Sequence, residues 1–387
     1  MAATTLNPAF AIEREETIPW YLWAGLIATT SAVLGGQWDI SWHRSIGRDT
    51  FWTPAHMAIY LCGVIAGFGG GAVTLLRTFG PRDAQRESTV GLWGFRAPLG
   101  IFLCIWGAVA MLTSAPFDNW WHNAYGLDVK ILSPPHMVLA LGLQTIQFGV
   151  LIMILGEMNR ASGPKRQVLE WMYLYGAAMM FLALMTVMME NDHRSQMHQS
   201  LFYRVLTPAA LLVLTGIARA CGNKWSATIV AGIYSVVMIA LVVILPLFGA
   251  EPKLGPVYQQ INYFMPPDFP LLFIVPAILL DVMLKRFERM NKWLLALAVS
   301  VAFLAVFFAV QWPFADFLMS PAARNWFFGT KYVPYYLPPD FTMSRNEFFP
   351  PDAPAQFAIG MATALGISFI CARASLGWGD WMRRIQR

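Results

Sequence analysis

The chain has 387 residues, 57% hydrophobic and only 13% charged, with a mean hydropathy of +0.50 and a net charge of +5. A soluble domain carries roughly a quarter charged residues, so the composition excludes a soluble enzyme and points to a multi-span membrane protein. The basic residues are scattered over short segments between apolar stretches, which excludes a nucleic-acid footprint.

Residues 1–16 lack a basic stretch followed by an apolar core and a small-residue cleavage site. They read as a cytoplasmic segment, with the first span itself directing insertion. Each crossing needs about 20 apolar residues. Apolar windows predict ten helices, at 17–36, 53–76, 97–115, 135–157, 168–189, 207–220, 226–249, 268–284, 293–311 and 356–374. The expected fold is therefore all-α, a polytopic membrane helix bundle of about ten transmembrane helices.

Lys and Arg divide unevenly between the two sets of connections, 18 on one side (among them Arg77, Arg96, Arg160, Arg219 and Lys285) and 9 on the other. By the positive-inside rule the richer set is cytoplasmic, which places both termini inside and the 37–51, 116–133 and 190–206 loops outside. Along the chain this gives a metal-binding half over 17–225 and additional spans over 226–311. A periplasmic Pro- and aromatic-rich segment follows over 312–355, then a last helix and basic tail over 356–387. Cys62, Cys104, Cys221 and Cys371 fall within or at the ends of apolar stretches without a Cys-x-x-Cys, so neither a disulfide framework nor a thiolate metal site is indicated.

A pattern occurs twice on the predicted outer side. WDISWHRSIGRDTFWTPAH places Asp39, His43 and His56 as Asp-x3-His-x12-His, and FDNWWHNAYGLDVKILSPPH places Asp118, His122 and His136 as Asp-x3-His-x13-His. Side chains four apart lie on one face of a helix about one turn apart, so each Asp–His pair can face one ion. Thr53-Pro54 and Pro134-Pro135 mark the restart of the next helix, which brings the third ligand to the same depth. Three protein ligands with open positions suit a catalytic rather than a closed structural site, and imidazole with carboxylate suits copper, iron or zinc. A lone His at the mouth of a membrane helix is ordinarily an interfacial hydrogen-bonder. Two copies at nearly equal spacing outweigh that reading.

A third segment, ENDHRSQMHQSLFYRVLTP, offers Glu190, Asp192, His193 and His198 as weaker candidates, but Ala209 and Ala210 stand where its next-helix His would be. Arg48 and Asp49 read either as groups just outside the ligand set, Asp49 fixing an imidazole tautomer, or as a salt-bridged turn. Trp38, Trp42, Trp52, Trp120 and Trp121 suit an interfacial belt, and the Met-rich stretch 179–190 suits helix packing rather than a copper relay.

WHRSIGRDTFWTPAH resembles the C subunit of the copper membrane monooxygenases, the particulate methane and ammonia monooxygenases. The resemblance covers about residues 20–220. It implies copper at Asp39, His43 and His56, with Arg48, Asp49, Thr50, Thr53 and Pro54 matching the family context. It also implies an adjoining second ion, one or two in all, at Asp118, His122 and His136, where the family has Asn rather than Asp118. The chain is longer than a C subunit by about four spans, and its second motif lacks the acidic pair between the two His. The resemblance implies an enzyme of the bacterial inner membrane, its sites on the periplasmic side, that uses O2 to hydroxylate a small apolar substrate or ammonia. Its partners would be lipids and A- and B-type subunits, or further copies of itself. The residues alone leave two alternatives: a periplasm-facing copper uptake or storage protein, and a haem-bearing electron carrier, against which the Asp before each first His and the Pro before each last His argue.

Overall fold

The computed structural model describes residues 17–47, 49–81, 88–126, 132–191, 196–251, 262–328 and 351–386. Among these, ten helices follow one another: α1 (Trp20–Ser45), α2 (Pro54–Phe79), α3 (Leu99–Tyr125), α4 (Pro134–Arg160), α5 (Gly163–Val187), α6 (Ser200–Ala220), α7 (Ser226–Ile244), α8 (Ile274–Arg286), α9 (Lys292–Met319) and α10 (Pro354–Met382). Eight of them, all but α1 and α8, are long and apolar enough to cross a membrane. The protein is an all-α, multi-pass membrane bundle. At 13 residues, α8 spans only about 20 Å of the ~30 Å hydrocarbon layer. A short β-hairpin, β1 (Val90–Leu92) with β2 (Phe95–Ala97), was not expected from the sequence; its two-residue turn puts Trp93 and Gly94 at φ 51° and 85°, as tight hairpins require.

All ten expected helices are present, with different ends. The windows stop α1 at 36 and α3 at 115, whereas the helices run to Ser45 and Tyr125, so residues 37–45 and 116–125 are helix rather than outer loop. Hydropathy stops at the first polar turn, but the backbone ladder does not. The sixth helix starts at Ser200, not 207, because its first turn is capped from a distance: the Asp352 carboxylate accepts from Ser200 N (2.9 Å) and Oγ (2.5 Å). The eighth starts at 274, not 268, because Pro266, Pro267 and Pro270 hold the preceding segment outside a helix. Residues 312–319, expected in the outer segment, complete α9; residues 329–350 of that segment lie outside the described residues.

Helices α1 to α5 pack as a meander of antiparallel neighbours, with α5, the most enclosed span, also touching α1 and α7. Buried Met179, Met180 and Met185 pack in this core. Helices α3 and α4 approach almost backbone to backbone. A methyl group built on Gly107 would lie 2.6 Å from the Gly142 carbonyl oxygen, and one on Gly100 would lie 2.1 Å from that of Gly149, so only glycine permits this crossing. At one end of the bundle Arg219 and Lys292 both pair with Asp380, and Asn159 binds the Met382 and Ile385 carbonyls. The opposite end carries the repeated motif. There Ser41 Oγ donates to the Met265 carbonyl (2.6 Å) and Met265 N donates to Ser45 Oγ (2.8 Å), so the second half of the chain pins the last turns of α1.

Candidate metal sites

Each copy of the motif is built the same way. Asp39 and His43 occupy the last two turns of α1, and Asp118 and His122 the last two turns of α3. Both helices are left through a glycine four residues past the His, Gly47 at φ 91° and Gly126 at φ 98°, a left-handed exit that L side chains rarely adopt. The next helix restarts on Pro54 or Pro134, and His56 or His136 falls in its first turn.

The structure brings together all six residues expected from the repeat, in two clusters. In the second, Asp118 Oδ2 is 3.3 Å from His122 Nε2 and Oδ1 is 3.4 Å from His136 Nε2. In the first, Asp39 Oδ1 is 3.1 Å from His56 Nε2 and Oδ2 is 3.8 Å from His43 Nε2. Asp49 joins this cluster, its Oδ2 lying 3.4 Å from His43 Nε2 and 3.1 Å from His56 Nε2. In each cluster the candidate ligand atoms lie within 4.8 Å of one another. Donors about 2.0–2.1 Å from one tetrahedral ion stand roughly 3.3 Å apart, so both clusters have the span of a single first-row coordination sphere.

Two further observations fit a cation. The His56 Nδ1 lies 2.9 Å from the Thr50 carbonyl. A carbonyl only accepts, so Nδ1 carries a proton, and Nε2, the nitrogen aimed at the two carboxylates, is the one left to bind a cation. Asp39 Oδ1 and Asp118 Oδ1 are buried without a well-directed hydrogen bond, which a bound ion would repair. With no ion present, burial of Asp49 acts to raise its carboxyl, but hydrogen bonds from His43 and His56 outweigh burial and hold it well below the usual carboxylate range.

The clusters are neighbours. Asp39 and His56 from one, and Asp118 and His136 from the other, line one cavity of about 170 Å³. Its remaining walls are mostly apolar, among them Val33, Ile59, Leu139 and Val187, with Tyr60 between the two motifs. The Tyr60 ring sits 5.9 Å from His56 and 5.2 Å from Phe51. Neither the cavity nor Tyr60 could be read from spacing, because both depend on how two hairpins and α5 meet.

His198 belongs to neither cluster. It is 3% exposed, packs edge-on against Trp312 at 4.5 Å and puts Nε2 3.3 Å from Asp316 Oδ1 on α9. Arg48, Asp192, His193 and the Glu190 side chain lie outside the described residues. Trp52 and Trp120 are exposed at the motif end, as interfacial aromatics are. Comparisons of the chain with protein-family models, curated proteins and solved structures find no match.

Proposed function

We propose that the chain is the metal-bearing subunit of a copper-dependent membrane monooxygenase, similar to the C subunit of the methane and ammonia monooxygenases. Its reaction would use O2 to hydroxylate a small apolar substrate or ammonia. The observation that carries this reading is that two ligand clusters open on one apolar cavity. A closed metal store has no need of such a chamber. An apolar cavity of roughly 150 Å³ takes up benzene and stays dry, so about 170 Å³ suits a substrate of that size or smaller.

Asp39, His43 and His56, with Asp118, His122 and His136, would hold one or two ions; iron or zinc would fit the same donors, and the sequence resemblance favours copper. Copper, when bound, supplies the redox chemistry by which O2 is activated. The protein contributes the rest. Thr50 fixes the His56 tautomer, the glycine exits set the ligand spacing, and the apolar walls keep water from the reacting centre. Tyr60 offers a phenol beside both clusters as hydrogen-bond donor to a polar atom in the cavity. The lysine and arginine asymmetry favours clusters on the side away from the cytoplasm; the resemblance makes that the periplasmic side of a bacterial inner membrane, with A- and B-type subunits as the partners to seek.

A copper uptake or storage role is the second reading. It is favoured by His43, whose side chain is 39% exposed, so that an ion can be reached from solvent. Metal analysis of the purified protein beside His43→Ala and Asp39→Ala separates the cases. Loss of copper together with O2-dependent product formation supports the monooxygenase. Copper lost without any product in the wild type supports the store, and metal content unchanged in both variants refutes the site.

A further inference from the structure

We infer that Asp49 is a fourth metal ligand of the first cluster, making it a two-carboxylate, two-imidazole site matched to a divalent rather than a monovalent ion. This rests on the metal-site reading above and extends it to a residue outside the repeat's Asp–His–His set. A carboxylate that merely orients a ligand histidine faces the ring nitrogen pointing away from the metal. For His56 that position is already taken, by the Thr50 carbonyl at 2.9 Å from Nδ1. Asp49 Oδ2 instead faces Nε2 of both His43 and His56, the same two nitrogens that Asp39 faces.

The remaining geometry agrees. The nitrogen–oxygen separations of 3.1, 3.1, 3.4 and 3.8 Å straddle the roughly 3.3 Å edge of a tetrahedron of donors around one ion. The Asp49 side chain is only 8% exposed, so its charge is held away from solvent and directed at the cluster. The turn that presents it is locked: Thr50 N donates to Thr53 Oγ1 at 2.8 Å, and Thr53 N donates to the Thr50 carbonyl at 2.9 Å. Two carboxylates and two neutral imidazoles carry two negative charges, which a divalent cation cancels and a monovalent one leaves half uncompensated. Carboxylate oxygens are also hard donors, poorly suited to monovalent copper.

The test uses the full-length protein in detergent, with Zn2+ and Ag+ as redox-inert divalent and monovalent probes and Co2+ as the spectroscopic probe. Asp49→Asn should weaken the tighter Zn2+ site by more than about a hundredfold, beyond the ~10–100-fold typical of losing a partner outside the ligand set. It should weaken Ag+ far less, and Asp49→Glu should restore part of the Zn2+ affinity. Asp49→Cys loaded with Co2+ should show a thiolate-to-metal charge-transfer band that the wild type, with its four native cysteines, does not show. That band reports coordination directly, even if Asp49→Asn proves unstable. Unchanged Zn2+ affinity in Asp49→Asn, or a Co2+-loaded Asp49→Cys without the band, would overturn the assignment while leaving the three-residue site standing. A wild type that binds none of the three ions would overturn the site reading as well.

Discussion

The contact between α3 and α4 should control the second cluster and leave the first alone. Asp118 and His122 come from α3 and His136 from α4, so their meeting depends on how closely those two helices lie. A methyl group at Gly142, six residues from His136, would sit 2.8 Å from the Gly107 carbonyl oxygen and 2.9 Å from Met111 N. Ordinary contact requires about 3.4 Å or more, so Gly142→Ala must open the pair locally by about 0.5 Å. Overpacking of this kind costs about 1–3 kcal/mol, and metal sites tolerate only about 0.5 Å of displacement. The Asp118–His136 separation, now 3.4 Å, already sits at the tetrahedral edge and would stretch beyond it. Zn2+ titration with elemental analysis should then show one site kept at wild-type affinity and one weakened by about tenfold or more. The first cluster, built on α1, the following turn and α2, supplies the internal control. Wild-type affinity at both sites, or equal weakening of both, would refute the argument that this backbone crossing sets the second site.

Three other perturbations have defined outcomes. In the metal-free protein the Asp49 carboxyl is held below its unfolded value, so its contribution is present above about pH 4 and lost as pH falls; the Tm gap between wild type and Asp49→Asn should narrow on acidification through that range. Asp281, 4% exposed on α8, accepts hydrogen bonds from Ala227 N, Thr228 N and Thr228 Oγ1 at the start of α7; Asp281→Ala should cost about 2–4 kcal/mol in denaturant unfolding with metal content unchanged. Tyr60→Phe keeps the ring beside His56 and Phe51, so metal content should be unchanged while any O2-dependent turnover falls; unaltered turnover would remove the hydroxyl from the chemistry.

The number of helices and the clustering of the six Asp and His residues were legible in the sequence because both depend on local periodicity: runs of about 20 apolar residues, and Asp and His one helical turn apart. What was not legible depends on contacts between distant segments. The approach of Asp49 to both imidazoles could not be read from spacing, because its side chain is directed by the Thr50–Thr53 turn and not by a helical period. The true start of α6 was hidden because its cap is Asp352, 152 residues away. His198 looked like part of a third motif, yet its neighbours are Trp312 and Asp316 on α9. The second half of the chain read as scaffold with no stated task, whereas Met265 bonds Ser41 and Ser45, on either side of His43.

The repeat and the shared cavity are two consequences of one topology. A helix that ends in Asp-x3-His-x3-Gly and restarts on Pro before a second His closes a chelate at the turn of a hairpin. Two such hairpins in direct succession, α1–α2 and α3–α4, necessarily place their turns at the same end of the bundle, because an even number of crossings separates them. Contacts of α2 with α3 and of α1 with α4 then set the hairpins side by side, so the two chelates face one another across a gap instead of lying apart on the rim. Helix α5 closes that gap with Ala183, Thr186 and Val187. A single hairpin could bind an ion but could not enclose a chamber beside it. The duplication therefore adds a largely apolar cavity between the two Asp–His clusters, a volume that one hairpin alone would not form.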